Sequence, residues 1–285
     1  MDHDLFLRNC ALEALGLLEG AERDQLLEHL ATGCAPCRGE LRAQIELVAR
    51  LAASAPPIQP PQALRARVLS AALDRSFFFL TADLAAWEAA GAARICRLFT
   101  SPATGDGSVL AALPAGAELA AAPGLEPREI YVVKGELQAG VRALSAGDYL
   151  RPGAADAGLR LVARTESLVF AATGARPPAE PKGELVRGPE GGWAEIGFET
   201  RARFIARNAA RGSEMFLVRM QPGGNFGEHT HAGAEEIYVL AGSCHCQGRQ
   251  LRVGDYHRAG QGTQHTATTS EEGCLALVIH HAAAA

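Results

Sequence analysis

Two groups of side chains in this sequence have the types and spacing to hold metal ions. The first is His29-Leu-Ala-Thr-Gly-Cys34-Ala-Pro-Cys37. One imidazole and two thiols make a soft donor set of the kind that zinc takes in closed tetrahedral sites. A fourth donor is required. His3 is assigned to it, with Cys10 as the rival, because the helical phase of Cys10 with Leu7 and Ala14 suits a core position. The second group is Gly223-x5-His229-Thr-His231-x3-Glu235-x6-Gly242, followed by Gly254-x5-Gly260-x-Gly262-x2-His265. Side chains two apart in a strand share a face, so His229 and His231 are expected to point the same way. Glu235 follows after a turn, and His265 comes from a neighbouring strand. Three imidazoles and one carboxylate suit a single divalent ion, with zinc expected first and iron, manganese or nickel also admitted by the donor set.

The elements that must position the first group are helices. Leu7, Ala11, Ala14 and Leu18 fall at helical spacing, as do Leu26 and Leu30, and then Leu41, Ile45, Val48 and Ala52. Gly33 can end the helix that carries His29 in a left-handed conformation, and Pro36 suits the start of the next. The two thiols then sit at a helix N-terminus, where the dipole favours thiolates. The stretch Ala55-Pro-Pro-Ile-Gln-Pro-Pro61 cannot continue a helix and reads as a stiff spacer. Beyond it, Gln62–Phe77 is predicted to form a fourth amphipathic helix.

The elements that position the second group are strands. From Trp87 onward, short β-type runs alternate with Gly and Pro turns. Residues 129–153, EIYVVKGELQAGVRALSAGDYLRPG, lie without a gap over residues 236–260, EIYVLAGSCHCQGRQLRVGDYHRAG. Gly116 pairs with Gly223 at the same offset, and Trp87 and Gly91 pair with Trp193 and Gly197 after a one-residue slip. This implies two duplicated barrels. At the positions of His229, His231, Glu235 and His265 the first copy has Ala122, Gly124, Arg128 and Gly158, so it holds no metal. Glu129, which matches Glu236, is retained, which marks Glu235 as the ligand and Glu236 as framework. Cys244 and Cys246 replace Leu137 and Ala139 and read as small core residues rather than a redox pair. His257, His280 and His281 read as surface or packing residues.

The expected domains are a helical one at 1–78, a degenerate metal-free barrel at 79–175 and a metal-binding barrel at 186–285. Net charge is −5, and the first 77 residues hold eight Arg against ten Asp or Glu, which disfavours direct nucleic-acid binding. The N-terminus lacks the basic and apolar regions of a signal peptide, and no apolar run is long enough to span a membrane. Seven cysteines without a framework favour a reducing cytoplasm.

Residues 11–37, ALEALGLLEGAERDQLLEHLATGCAPC, resemble the zinc-binding anti-sigma domain. That resemblance implies three helices, plus a fourth after a linker, that clasp a group IV (extracytoplasmic-function) sigma factor. The His229-to-His265 pattern resembles the two cupin motifs, departing from them in having Gly260 where proline is usual. The whole chain is similar to ChrR-type anti-sigma factors, with a degenerate cupin inserted before the metal-bearing one. It implies an α+β multidomain protein, a zinc-stapled helical bundle followed by two cupin (double-stranded β-helix) barrels. The implied function is sequestration of a sigma factor, without catalysis, until the C-terminal cupin senses a small-molecule or oxidant signal. The alternative is a cupin metalloenzyme of dioxygenase or isomerase type with a helical interaction domain.

Overall fold

The computed structural model describes residues 3–54, 64, 68, 72, 75–101, 105–119, 127–156, 159–174, 183–188, 191–209 and 211–283. The chain divides into two compact units, Met1–Gln62 and Ala63–Ala285. The first contains three helices, α1 (His3–Ala14), α2 (Gly20–Ala31) and α3 (Ala35–Ser54). Gly33, at φ +90°, turns the chain between α2 and α3, and Thr32 caps α2 by donating its hydroxyl to the His29 carbonyl at 2.7 Å. The core of this unit is small: Phe6, Cys10, Leu18, Leu26 and Cys37 are buried, with Leu7, Leu30 and Leu41 packed against them. The expected apolar rows are therefore only partly covered. On α3, Leu41 packs inward while Ile45, Leu47 and Leu51 stand open.

The second unit is built from antiparallel sheets. The first repeat contributes a seven-stranded sheet and a three-stranded sheet. The second contributes an eight-stranded sheet and a two-stranded one formed by His229–Thr230 and Gln264–His265. Each large sheet contains one strand from outside its own repeat. Phe77–Leu80 pairs with Tyr256–Ala259 of the second repeat, and Glu184–Val186 pairs with Tyr149–Arg151 of the first. The repeats thus exchange the strands that precede them.

Residues shared by the two repeats hold these exchanged strands. Asp255 accepts from the Ala82 amide at 2.8 Å, and Asp148 accepts from the Gly188 amide at 2.8 Å. Their other carboxylate oxygens accept from Arg252 and Ser145 amides, closing the turns in which they sit. The neighbouring Tyr149 and Tyr256 are fully buried and pack, with Tyr131, Phe170, Tyr238 and Leu277, into one apolar cluster between the repeats. Separate cores fill each repeat.

Of the fourth helix expected over Gln62–Phe77, only Leu64, Val68, Ala72 and the residues from Arg75 are described. Those three are helical, but Phe77 begins a strand. The run Phe77-Phe-Phe-Leu80 favours a pleated surface, and the eight-stranded sheet offers it an open edge. Among the described residues, no helix is long and apolar enough to cross a membrane.

Candidate metal centres

In the helical unit, α1 delivers His3 from its first residue, the end of α2 delivers His29, and the α2–α3 corner delivers Cys34 and Cys37. One donor atom from each lies within 4.8 Å of all the others. His3 Nε2 stands 3.9 Å from both Cys34 Sγ and Cys37 Sγ. Donors around a tetrahedral zinc are roughly 3.6 Å apart, so the cluster needs little contraction to close on an ion. His29 is stacked on Phe6 at 4.2 Å, and its Nε2 is buried without a hydrogen-bond partner among the described residues. An orphaned buried imidazole nitrogen beside two thiols fits a metal ligand. Cys10 is instead fully buried in the core, and its thiol donates to the Cys37 carbonyl at 3.5 Å.

The second cluster is formed around one carboxylate oxygen. Glu235 Oε1 lies 4.0 Å from His229 Nε2, 3.4 Å from His231 Nε2 and 3.5 Å from His265 Nδ1. Donors about 2.1 Å from a tetrahedral ion lie about 3.4 Å apart, so this cluster also fits a metal. His231 Nε2 has no hydrogen-bond partner among the described residues although it is buried. The ring nitrogens facing away are all engaged. His229 Nδ1 donates to the Gly227 carbonyl at 3.0 Å and His231 Nδ1 to the Thr263 carbonyl at 3.1 Å. Each such bond puts the proton on the outer nitrogen and leaves a lone pair on the inner one.

His265 achieves the same result through a relay. The Phe78 carbonyl accepts from His257 Nδ1 at 2.9 Å, and His257 Nε2 lies 2.9 Å from His265 Nε2. With its proton on Nδ1, His257 can only accept at Nε2, so His265 donates there and keeps its Nδ1 lone pair for the site. Burial pushes His257 down to about 4 and His265 to about 3, so both are neutral imidazoles at neutral pH. Phe77 stacks on His265 and Phe79 on His257, which places the Phe77–Leu80 strand against the back of the cluster.

Glu235 is buried, and burial opposes its charge; contacts from His229, His231 and His280 outweigh that and hold it well below the usual carboxylate range. Its second oxygen accepts from His280 Nε2 at 2.8 Å. Glu236 points elsewhere. Burial again opposes its charge, yet His281, Ser108 and Tyr256 hold it at about 2. His281 Nε2 and the Tyr256 hydroxyl donate to it at 2.7 and 2.9 Å. Ser108 belongs to the first repeat, so Glu236 ties the repeats together. Glu129 does the same from the other side by accepting from Asn208. The framework glutamates survive in both repeats because both bridge them.

The four residues expected at each centre are thus close together. In the first repeat, Arg128 donates to the Gly174 carbonyl at 2.7 Å, while Ala122, Gly124 and Gly158 lie outside the described residues. Reading from sequence took His257 for a surface or packing residue, but it is fully buried and touches a candidate ligand; His280 is exposed, as expected, yet also donates to Glu235. The signal was present: His257 replaces the apolar Leu150 of the first repeat on an inward-facing strand. Cys244, Cys246 and Cys274 are free and buried, and contact with the Cys274 thiol together with burial raises the pKa of Cys244. Burial pushes Cys246 up to about 12. Beside the cluster lies a cavity of about 190 Å³, lined by His229, Glu235 and mainly apolar side chains.

Residues 183–284 match the family model described as the ChrR Cupin-like domain. No curated protein matches the chain. Among solved structures, the chain is similar to the protein Ylba of Escherichia coli, with 18% identity, 72% of this chain and 90% of that one covered, and a TM-score of 0.55. It is also similar to the bacterial pirin YhhW of Escherichia coli in complex with nickel(II), with 12% identity, 73% and 100% covered, and a TM-score of 0.53. A candidate dioxygenase of Nostoc punctiforme matches with 16% identity, 73% and 83% covered, and a TM-score of 0.54. At these identities the likeness is one of fold: the β unit is cupin-like.

Proposed function

We propose that this chain is an anti-sigma factor whose zinc-held helical unit binds a group IV sigma factor and whose C-terminal cupin governs its release. In this reading the β unit is two cupin barrels, the first without ligands. His3, His29, Cys34 and Cys37 hold a structural zinc, and His229, His231, Glu235 and His265 hold one divalent ion. The observation that carries it is the ChrR Cupin-like match at 183–284 behind a helical unit that gathers two histidines and two cysteines. Unpartnered apolar side chains support a protein partner. Leu12, Leu15 and Leu17 around the end of α1, and Ile45, Leu47 and Leu51 on α3, are all 40% or more exposed.

Release requires a population shift, and moving from 99:1 bound to 99:1 free takes about 5.5 kcal/mol of differential binding. Loss or change of a buried metal centre is large enough to supply it. The Phe77–Leu80 strand lies against that centre and follows directly on the segment leading from the helices, so a rearrangement of the centre has a covalent route back to them. The test is co-expression with group IV sigma factors of the same genome, followed by size-exclusion and metal analysis. Wild type co-elutes with the sigma factor and zinc, and Cys34→Ala/Cys37→Ala does not. A folded, zinc-loaded chain that holds no sigma factor sinks the reading.

The cavity beside His229 and Glu235 favours a second reading, a cupin metalloenzyme with a helical interaction domain. Turnover of a small molecule by the metal-loaded full chain distinguishes it. A fragment beginning at residue 186 does not serve, because it lacks the exchanged strand.

A further inference from the structure

The cavity of about 190 Å³ in the second repeat has an uneven lining. Phe216, Val218, Met220, Ile237, Ala276 and Val278 make its walls, and polar groups gather at the end where His229, Glu235 and His280 stand. No lysine or arginine is among the residues that line it. Ile196, 38% exposed, and His280, with its side chain 51% exposed, belong to the same lining, which gives the cavity a mouth to solvent.

We propose that this cavity binds a monocarboxylate with an apolar tail of about six to eight carbons, its carboxylate turned to the His229 and Glu235 end. The inference rests on the reading that His229, His231, Glu235 and His265 hold a divalent ion. The size follows from comparison with an apolar cavity of about 150 Å³, which takes a benzene molecule. The tail follows from the walls, which are mainly apolar; besides the histidines and Glu235, only Thr268, Cys244 and Cys274 bring polar atoms to the lining, and contact with Cys274 together with burial keeps Cys244 in its protonated form. The head follows from charge. A dication facing one carboxylate and three neutral imidazoles leaves the polar end net positive, and no basic side chain competes for the anion. Such a molecule is a signal of suitable chemistry for the proposed regulator, because it reaches both the candidate ligands and the sheet that carries them.

The test uses the full chain loaded with cobalt(II) and titrated with acetate, butanoate, hexanoate, octanoate and dodecanoate, read by calorimetry and by the visible cobalt spectrum. Affinity rises about fourfold per added methylene as far as the cavity extends and stops rising by dodecanoate. Octanoate shifts the cobalt spectrum, and 1-octanol binds at least tenfold more weakly. Ala202→Phe, which fills the cavity from its partly exposed wall, weakens octanoate at least tenfold while cobalt content and acetate binding stay unchanged. Val218→Phe repeats the test from a second strand. Affinity independent of chain length, 1-octanol equal to octanoate, or failure to take up cobalt at this centre each overturns the proposal. Sigma-factor co-elution is scored on the same protein. A retained sigma complex with no chain-length dependence removes the ligand inference alone, and the reverse pattern removes the anti-sigma reading alone.

Discussion

His257 shows how much of the second centre is decided away from its candidate ligands. It gives no donor to Glu235 or to the other histidines facing it, yet its bond to His265 determines which nitrogen of His265 faces the site. Replacing it with leucine, the residue at the matching position of the first repeat, preserves an apolar fit but leaves His265 Nε2–H without its acceptor. The expected outcome for His257→Leu is metal affinity reduced about 10- to 100-fold, measured by competition with a chelator, with the β unit still folded. Unchanged affinity would show that the relay has no bearing on the centre. The same scale explains the paired glutamates. Glu235 and Glu236 are adjacent in sequence and so point to opposite faces of a strand. One meets four imidazoles and the other meets the neighbouring repeat.

At the scale of elements, the decisive feature is the exchange of strands. Asp148 and Asp255 occupy the Gly-Asp-Tyr sequence common to both repeats, and each accepts from an amide just beyond an exchanged strand. Asp255→Ala removes that acceptor and the turn closure at Arg252. Leaving such donors unpaired costs about 1–3 kcal/mol each when they are buried, and somewhat less at these half-buried positions. The expected outcome is faster amide hydrogen exchange over residues 77–82 together with weaker metal binding, because this strand carries the Phe78 carbonyl that orients His257. Asp148→Ala is the control, since it loosens the 184–188 segment, which touches no candidate ligand. Equal metal affinity in both variants would separate the strand from the centre.

At the scale of the molecule, the two units differ in what can hold them together. The β unit has a core in each repeat and a third between them, whereas among the described residues the core cluster of the helical unit has five fully buried members. A unit of that size rarely folds on apolar burial alone, and structural zinc sites supply roughly 10–16 kcal/mol in small domains. With zinc held by His3, His29, Cys34 and Cys37 as proposed, its chelation is expected to abolish the helical far-ultraviolet signal while leaving the β signal and the aromatic spectrum in place. Helices that survive complete zinc removal would show that His3, His29, Cys34 and Cys37 are not a staple.

The spacing of His29, Cys34 and Cys37 and of His229, His231 and Glu235 was legible in the sequence because each run lies within one or two turns of local structure, and His265 was legible from the second glycine-spaced motif that carries it. The repeat was legible because duplication leaves a gapless alignment. The strand exchange, the His257 relay and the bridging roles of Glu129 and Glu236 were not, since each depends on residues far apart in the chain meeting at a sheet edge or between repeats. Phe77 is the clearest instance. Local pattern extends a helix to it, but an open edge of the eight-stranded sheet offers its backbone hydrogen bonds and its ring a stacking partner in His265. Burial against a distant surface outweighs local propensity there, and only the tertiary structure contains that surface.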